Sequence, residues 1–231
     1  LPAFFAAAST VQEKAEALNY LSLLQGDSSG DYMLNKPLLR SQAATFIVRL
    51  LGRVNHVEEN KYDYSITMFP DVPFDAWYAP YVGYCTAQGI IAGNGEGYFE
   101  PNENISEKAF LKLLLTALGY EYGVDFNWSN VFQKSYEVGL VTDISYLTKT
   151  VDNNNYLRAQ VVEAMYNAIT KVNIKTGKTL LQNLIDEGVI TENQAAYAGF
   201  DTGTGPGTGT GTVSGPEIGI KQITAVDQNN L

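Results

Sequence analysis

Two arginines occupy matching places in this sequence, each at the expected first turn of a helix and each followed two residues later by a glutamine. They are Arg40 and Arg158. A cation in the first turn opposes the helix macrodipole, so helix stability alone would favour Asp or Glu there. An anion held between free first-turn N–H groups and a guanidinium gains charge-assisted, often bidentate hydrogen bonds. The arginines therefore indicate anion binding; the alternative is that each pairs with an acidic residue of a neighbouring unit.

The composition of the chain limits the classes of protein to which it can belong. The chain has 231 residues, 45% of them hydrophobic, and a net charge of −10, which argues against sequence-independent attraction to nucleic acid or anionic membranes. The single cysteine, Cys85, and the single histidine, His56, remove most metal sites and catalytic triads, and we expect Cys85 to be buried. No apolar stretch reaches the roughly 20 residues of a membrane helix. Acidic residues fall in no recognisable motif, so a glycoside hydrolase with two catalytic carboxylates is a disfavoured alternative.

The sequence repeats itself. Five positions recur after the same interval along the chain: Leu23, Gly26, Tyr32, Arg40 and Gly52 correspond to Ile90, Gly93, Phe99, Glu107 and Gly119. Four of these pairs are chemically similar, and the exception is Glu107, which stands in place of an arginine. A third, weaker copy places Gly139 where Gly89 stands and Arg158 where Arg40 stands. Such self-similarity indicates a repeat architecture.

Each copy has the signals of two helices joined by a turn-rich loop. The predicted helices cover residues 13–25 and 39–51, then 79–88 and 107–118, then 131–138 and 157–170, followed by short pieces at 179–186 and 192–198. Residues 58–61 are expected to form a solvated loop. Because one helix pair buries its apolar face poorly, we expect the three second helices to share a central core.

The second copy resembles the S-layer homology repeat, whose pattern opens with F-x-D-V, continues with W-A, G-I-I-x-G and G-x-F-x-P, and closes with I-T-R-A-E before a helix. The corresponding residues here are Phe69-Pro70-Asp71-Val72, Trp77-Tyr78-Ala79, Gly89-Ile90-Ile91-Ala92-Gly93, Gly97-Tyr98-Phe99-Glu100-Pro101 and Ile105-Ser106. The copy departs from the pattern at Glu107, where the family has arginine, and at Ala109, where it has glutamate. Copy one keeps the second half of the pattern, and copy three keeps the least of it.

The resemblance implies an all-α fold in which three helix-loop-helix repeats form a pseudo-threefold bundle or spindle with grooves between repeats. It also implies a non-catalytic, secreted module of the bacterial cell wall or surface layer. Such modules bind anionic secondary cell-wall polysaccharide, often pyruvylated, and need no cofactor or metal. The alternative is a packing module that self-associates in a surface lattice and binds no sugar.

The predicted ligand-binding residues are Arg40, Arg158, Trp77, Trp128, Asp71, Gly26 and Gly93. The indoles could stack on a sugar ring or simply seat a helix in the core. Asp71 could accept hydrogen bonds from sugar hydroxyls or stabilise its own turn. Glu107 would repel a pyruvate carboxylate, so its groove is predicted to be a lost site and at most two anion sites remain.

We expect repeats at residues 1–52, 53–120 and 121–172, and a C-terminal helical extension at 173–200. A Gly/Thr linker at 201–216 would then lead to the start of a following β module at 217–231. The apolar residues 1–9 are either the end of a signal peptide or the start of a core helix.

Overall fold

The computed structural model describes residues 10–202, and their regular structure is helical, with isolated β-bridges as the extended contacts. In chain order the helices are α1 (Val11–Tyr20), α2 (Arg40–Leu50), α3 (Val54–Glu59), α4 (Lys61–Ser65), α5 (Ala79–Ala87), α6 (Glu107–Ala117), α7 (Val131–Val138), a 3₁₀ helix (Ile144–Leu147), α8 (Arg158–Ile169), α9 (Leu180–Asp186) and α10 (Glu192–Tyr197). The prediction of an all-α fold is confirmed. The expectations for residues 1–9, for the linker from residue 203 onward and for residues 217–231 fall outside the described residues.

Helix α6 shows how local sequence forms these elements. Ser106 is its N-cap, and the Ser106 Oγ accepts a hydrogen bond from the Ala109 N–H at 3.2 Å. Phe110 and Leu114, four residues apart, are fully buried on its inner face. Gly119 then takes a left-handed conformation, with φ of +89°, that ends the helix. The predicted start and end of this helix are confirmed.

Helices α2 and α8 begin differently, because their N-cap residues, Leu39 and Leu157, have no polar side chain to offer. The glutamine three residues later closes half of a capping box instead. Gln42 accepts a hydrogen bond from the Leu39 N–H at 3.2 Å, and Gln160 accepts one from the Leu157 N–H at 3.1 Å. The next N–H groups of both helices find their acceptors elsewhere in the chain.

Those acceptors link α2, α6 and α8 in a closed ring. The first two N–H groups of each helix donate to the segment that precedes another of the three helices. The bonds run from Arg40 to Glu103 O (2.9 Å) and Ser41 to Pro101 O (3.1 Å), from Glu107 to Asn153 O (2.9 Å) and Lys108 to Asp152 Oδ1 (2.8 Å), and from Arg158 to Lys36 O (2.8 Å) and Ala159 to Leu34 O (3.0 Å). Thus α2 depends on the segment before α6, α6 on the segment before α8, and α8 on the segment before α2.

The ring closes over one hydrophobic core. Leu38, Ile105 and Tyr156, each two residues before a helix of the ring, are buried there. The Ile105 N–H donates to the Leu38 carbonyl oxygen at 2.8 Å, and the Leu38 N–H donates to that of Tyr156 at 3.4 Å. Because each helix start is bonded to a distant segment, the grooves beside these starts are fixed by the whole ring rather than by any one helix pair.

Two expectations about local structure are wrong. Residues 58–61 form parts of α3 and α4 rather than a loop, since Val57 is buried and α4 packs against α5. Helix α1 ends at Tyr20 rather than near residue 25, because Ser22 takes a φ of 61° and the chain turns back. The N–H groups of the next two leucines then return to the Leu18 carbonyl oxygen at 2.9 and 3.3 Å.

The C-terminal extension consists of α9 and α10, as predicted. Thr179 and Thr191 cap these helices through their hydroxyl oxygens. Helix α9 lies against α8, and the Tyr166 and Phe200 rings are 4.8 Å apart between centroids. Gly52 shows how closely the extension approaches, because a Cβ there would lie 2.7 Å from a Leu184 methyl carbon.

Candidate functional site

Arg40, the first residue of α2, is held against the loop that precedes α6. Its Nε donates a hydrogen bond to the Phe99 carbonyl oxygen at 2.7 Å. The guanidinium carbon lies 5.3 Å from the centroid of the Phe99 ring, within the range of a cation–π contact. The guanidinium is therefore oriented by the protein itself.

Beside Arg40 lies a groove of about 110 Å³ between α2 and α6. Its polar and aromatic lining comes from Arg40, Lys112 and Trp128, and its apolar and backbone lining from Ile90, Ile91, Ala92, Gly93, Phe99, Ile105, Ala109 and Leu113. Among the described residues that line this groove, none is acidic. The groove therefore collects three of the predicted ligand-binding residues, Arg40, Gly93 and Trp128.

The electrostatics of the groove are set by two cations in a partly desolvated space. Burial lowers the pKa of Lys112, and the positive charge of Arg40 lowers it further. Burial also lowers the pKa of Arg40, while Glu100 and Asp71 partly offset that effect. An anion placed between the two cations would relieve their repulsion.

Asp71 supports the loop that holds Arg40. Its two carboxylate oxygens accept hydrogen bonds from the Phe99 N–H at 3.0 Å and the Glu100 N–H at 2.6 Å. Glu100 has a φ of 60°, so this contact stabilises backbone that a residue other than glycine rarely adopts. Asp71 thus fixes a loop 28 residues away in sequence rather than its own turn.

The predicted glycines are required by close packing. Gly93 has a φ of +70°, and a Cβ there would lie 2.5 Å from the Phe69 ring and 2.7 Å from the Tyr98 carbonyl oxygen. A Cβ on Gly26 would lie 2.9 Å from the Asp31 carbonyl oxygen. Both turns would have to move to accept any side chain, and only at Gly93 does the backbone also line the groove.

The two tryptophans have different surroundings. Trp128 is 44% exposed at the edge of the groove, with the Lys108 ammonium 5.4 Å from its ring centroid. Trp77 is half-buried and meets the Tyr78 ring edge-on at 5.4 Å. Trp77 is not among the residues that line the groove.

Arg158 repeats the Arg40 contact in a more enclosed place. Its Nε donates to the Tyr32 carbonyl oxygen at 2.7 Å, and an Nη donates to the Gln25 carbonyl oxygen at 3.2 Å. The guanidinium carbon lies 5.0 Å from the Phe46 ring centroid, and the residue is only 3% exposed. Burial lowers the pKa of Arg158 to about 10, against the charges of two nearby aspartates.

Among the described residues, neither arginine pairs with an acidic residue of a neighbouring unit, which was the alternative to anion binding. Within the described part of the chain, neither takes part in an ion pair closer than 4.0 Å. The expectation that an anion binds free first-turn N–H groups is also wrong for the first two groups of α2 and α8, because the ring of helices uses them. Both side chains instead donate to carbonyl oxygens of a neighbouring loop.

Glu107, at the corresponding place on α6, is completely buried and places a negative charge where α2 and α8 have a positive one. Its carboxylate accepts a hydrogen bond from the Tyr146 hydroxyl and pairs with the Lys149 ammonium at 2.6 Å. Burial, together with the bond to Glu107, raises the pKa of Tyr146. Here the segment before α8 supplies the cation, and α6 supplies the anion.

Sequence reasoning missed Lys112, Lys149 and Tyr146. Lys112 lies on the largely apolar α6, and its position there was the signal available from the sequence. The three belong to segments that meet Arg40 or Glu107 through the fold, 39 to 72 residues away along the chain. A periodicity argument identifies which face a residue lies on but not which distant segment covers that face.

The chain is similar to known proteins over most of its described length. Residues 69–110 match the model of the S-layer homology domain. The chain is 27% identical over 160 residues to the middle cell wall protein of Brevibacillus brevis, covering 69% of this chain and 14% of that protein. It is 24% identical over 188 residues to the surface layer protein of Brevibacillus choshinensis, covering 80% and 16% respectively. It is 30% identical over 122 residues to the cell surface protein of Thermoanaerobacter kivui, covering 52% and 15%.

The chain therefore spans about one sixth or less of the length of these relatives. Residues 10–202 contain no helix with the length and apolar character of a membrane span, and no cluster of three metal-binding side chains. The matched segment holds Asp71, Gly93 and Phe99, the residues that shape the groove and hold Arg40. Residues 69–110 thus match the S-layer homology domain, and the chain as a whole is similar to bacterial surface-layer and cell-wall proteins.

Proposed function

We propose that this chain is a non-catalytic module that attaches a surface protein to the bacterial envelope by binding an anionic secondary cell-wall polysaccharide. The groove beside Arg40 is the principal binding site. The ligand is a sugar unit that carries a carboxylate, such as a pyruvate ketal. The segments that meet in the ring of α2, α6 and α8 are, on this proposal, three S-layer homology repeats.

The observation that carries the proposal is the pair of cations in one groove. Arg40 and Lys112 line the same partly desolvated space, and none of the described residues lining it is acidic. Like charges brought together in this way cost stability unless something compensates them. A bound carboxylate would supply that compensation through charge-assisted hydrogen bonds.

The surroundings of the two cations suit a sugar acid better than a simple ion. Trp128 exposes an indole face at the edge of the groove, where it can cover the apolar face of a sugar ring. Because the contact with Phe99 already orients the Arg40 guanidinium, binding costs little side-chain entropy there.

Arg158 and Glu107 rank below Arg40 as ligand contacts. At 3% exposure, Arg158 has little surface for a ligand, so we assign it a secondary anion contact that requires the Tyr32 loop to move. Glu107 stands where an arginine would meet a ligand anion, and it is already paired with Lys149. Its groove is the predicted lost site.

Isothermal titration calorimetry with a pyruvylated wall-polysaccharide fragment tests the proposal. Lys112→Ala removes one cation without touching the Arg40–Phe99 contact, and we expect it to weaken binding about 10- to 100-fold, the range for a lost hydrogen bond to a charged group. Lys61→Ala, at an exposed position at the start of α4, is the matched control and should bind as the wild type does. Removal of the pyruvyl group from the fragment should weaken wild-type binding to the same degree.

The Arg40→Ala, Arg158→Ala double variant tests whether the two arginines contribute to binding of the same fragment. Unchanged affinity in Lys112→Ala and in this double variant, with circular dichroism showing both folded, would rule out the anion site.

A packing module of the surface lattice is the second candidate function, and exposed apolar side chains favour it. Tyr62, Ile66, Met68 and Phe74 are all exposed, and the Tyr62 and Phe74 rings meet at 5.3 Å between centroids. Sedimentation with purified walls separates the two functions. Binding that survives protease treatment of the walls and disappears once the polysaccharide is stripped supports anchoring, whereas loss of binding to protein-free walls supports packing.

A further inference from the structure

A second cavity, of about 210 Å³, lies where α2, α5 and α6 end and where the C-terminal extension begins. Leu50 and Leu51 come from the end of α2, Gln88 from the end of α5, and Thr116 and Ala117 from the end of α6. The extension closes the outer side with residues Asn173, Lys175, Thr176, Leu180, Asn183, Leu184 and Glu187. Ile90 lines both this cavity and the Arg40 groove, so the two are neighbours.

Asn173 attaches the outer wall of the cavity to the end of α6. Its amide Nδ2 donates to the Ala117 carbonyl oxygen at 3.0 Å, and its Oδ1 accepts from the Lys175 N–H at 2.9 Å. The Ile174 N–H donates to the carbonyl oxygen of Leu118 at 2.9 Å. The cavity is thus preformed, as small-molecule sites usually are.

The charges around the cavity favour an anion less than those of the Arg40 groove do. Arg53 is already paired with Glu187 at 2.7 Å, which leaves Lys175 as the unbalanced charge among the described lining residues. Three helices also bring their C-terminal ends here, and a helix C-terminus carries a partial negative charge that opposes anions. This is the reverse of the Arg40 groove, where cations gather at the start of α2.

The remaining polar lining suits a neutral polyol. Gln88, Thr116, Thr176 and Asn183 supply amide and hydroxyl groups. The Thr116 hydroxyl already donates to the Lys112 carbonyl oxygen and the Asn183 amide to the Thr176 hydroxyl, so these groups can accept from sugar hydroxyls while the Gln88 amide can also donate. Tyr84 and the leucines supply the apolar surface against which a sugar ring can lie. Neutral amides, hydroxyls and an aromatic ring around a preformed space form the chemical complement of a single uncharged pyranose.

We propose that this cavity binds one neutral sugar unit, independently of the anion site beside Arg40. The C-terminal extension supplies nearly half of the lining residues of this subsite, from 173 to 187, and they lie outside the segment that matches the family model. Its ligand is an uncharged hexose or N-acetylhexosamine.

The test is a titration of the isotopically labelled chain with glucose, galactose and N-acetylglucosamine, followed by amide chemical shifts. We expect saturable shifts at Gln88, Thr176 and Asn183 with at least one of the three sugars. Asn183→Leu and Gln88→Ala should each weaken that binding by about 2- to 10-fold, the effect of losing one hydrogen bond. Lys112→Ala should leave it unchanged.

Several outcomes would overturn the proposal. One is the absence of saturable shifts with all three sugars, and another is binding that persists unchanged in both cavity variants. A third is binding lost in Lys112→Ala alone, which would place the sugar in the Arg40 groove. If Asn183→Leu fails to fold, Gln88→Ala decides the question, because Gln88 is exposed at the end of α5.

Discussion

Removal of the Lys149 ammonium should destabilise the fold strongly, because it leaves the Glu107 carboxylate in a place with no access to water. The Glu107 side chain is 0% exposed, and its acidic oxygens meet only the Lys149 ammonium and the Tyr146 hydroxyl among the hydrogen bonds described. Breaking a buried ion pair by removing one partner costs about 3–5 kcal/mol. Since 28% of the Lys149 side chain is exposed and water screens that end, we take the lower limit, about 3 kcal/mol.

Lys149→Met is the variant to measure, by urea unfolding followed through circular dichroism. A loss of about 3 kcal/mol corresponds to a fall in Tm of about 6–12 °C for a chain of this size. Glu107→Gln should cost less, about 1–2 kcal/mol, because the freed Lys149 ammonium can turn to solvent. The double variant should resemble Glu107→Gln, which gives a coupling energy of about 3 kcal/mol between the two positions.

The control is Lys61→Met, which removes an exposed cation 3.9 Å from Glu58 and should change the free energy of unfolding by less than about 1 kcal/mol. Equal urea midpoints for Lys149→Met and the wild type would refute the reasoning. So would a double variant whose loss is the sum of the two single losses, because the charges would then act independently.

Three further predictions concern other parts of the fold. Gly83→Ala should reduce the free energy of unfolding by at least about 2 kcal/mol, since a Cβ there would lie 1.8 Å from a backbone oxygen of α4. Gly95→Ala is the control. Because the space around Gly95 is open, this variant should unfold at the same urea concentration as the wild type. Cys85 is buried, which raises its pKa, so a thiol reagent should label it only after denaturation, and rapid native labelling would contradict its placement. Burial and carboxylate contacts raise the pKa of Tyr81 and Tyr146, so both hydroxyls stay protonated in the folded chain above pH 10. Their contribution to the free energy of unfolding is lost as the pH rises further. Absorbance at 295 nm should therefore show a late ionisation that coincides with the loss of helix, and a single early step would disprove this.

Much of the helical structure follows from local signals. Ser106 at one end of α6 and Gly119 at the other define a helix whose apolar residues recur at helical spacing, so its bounds were predictable. Helices α3 and α4 were missed because both are short and carry many charged residues. They are stabilised mainly by packing against α5, and a local sequence pattern does not predict that packing.

The candidate site was only half predictable. The sequence motif indicated Arg40, Gly93 and Trp128, all three of which line one groove. It also indicated Arg158 as an equal partner, although burial leaves that side chain with little exposed surface. Lys112 was absent from the prediction because its position on the largely apolar α6 does not show which distant segment it meets.

The sequence by itself determined where most of the longer helices begin and end, because caps, glycines and apolar spacing act within a few residues. It also determined that a cation or an anion stands at the start of α2, α6 and α8. The tertiary structure alone decided what each of those charges meets. Arg40 shares its groove with Lys112, and Glu107 is neutralised by Lys149, because the ring of hydrogen bonds brings each helix start against a distant segment. Charge depends on residue type, but pairing and desolvation depend on contacts between residues far apart in the chain.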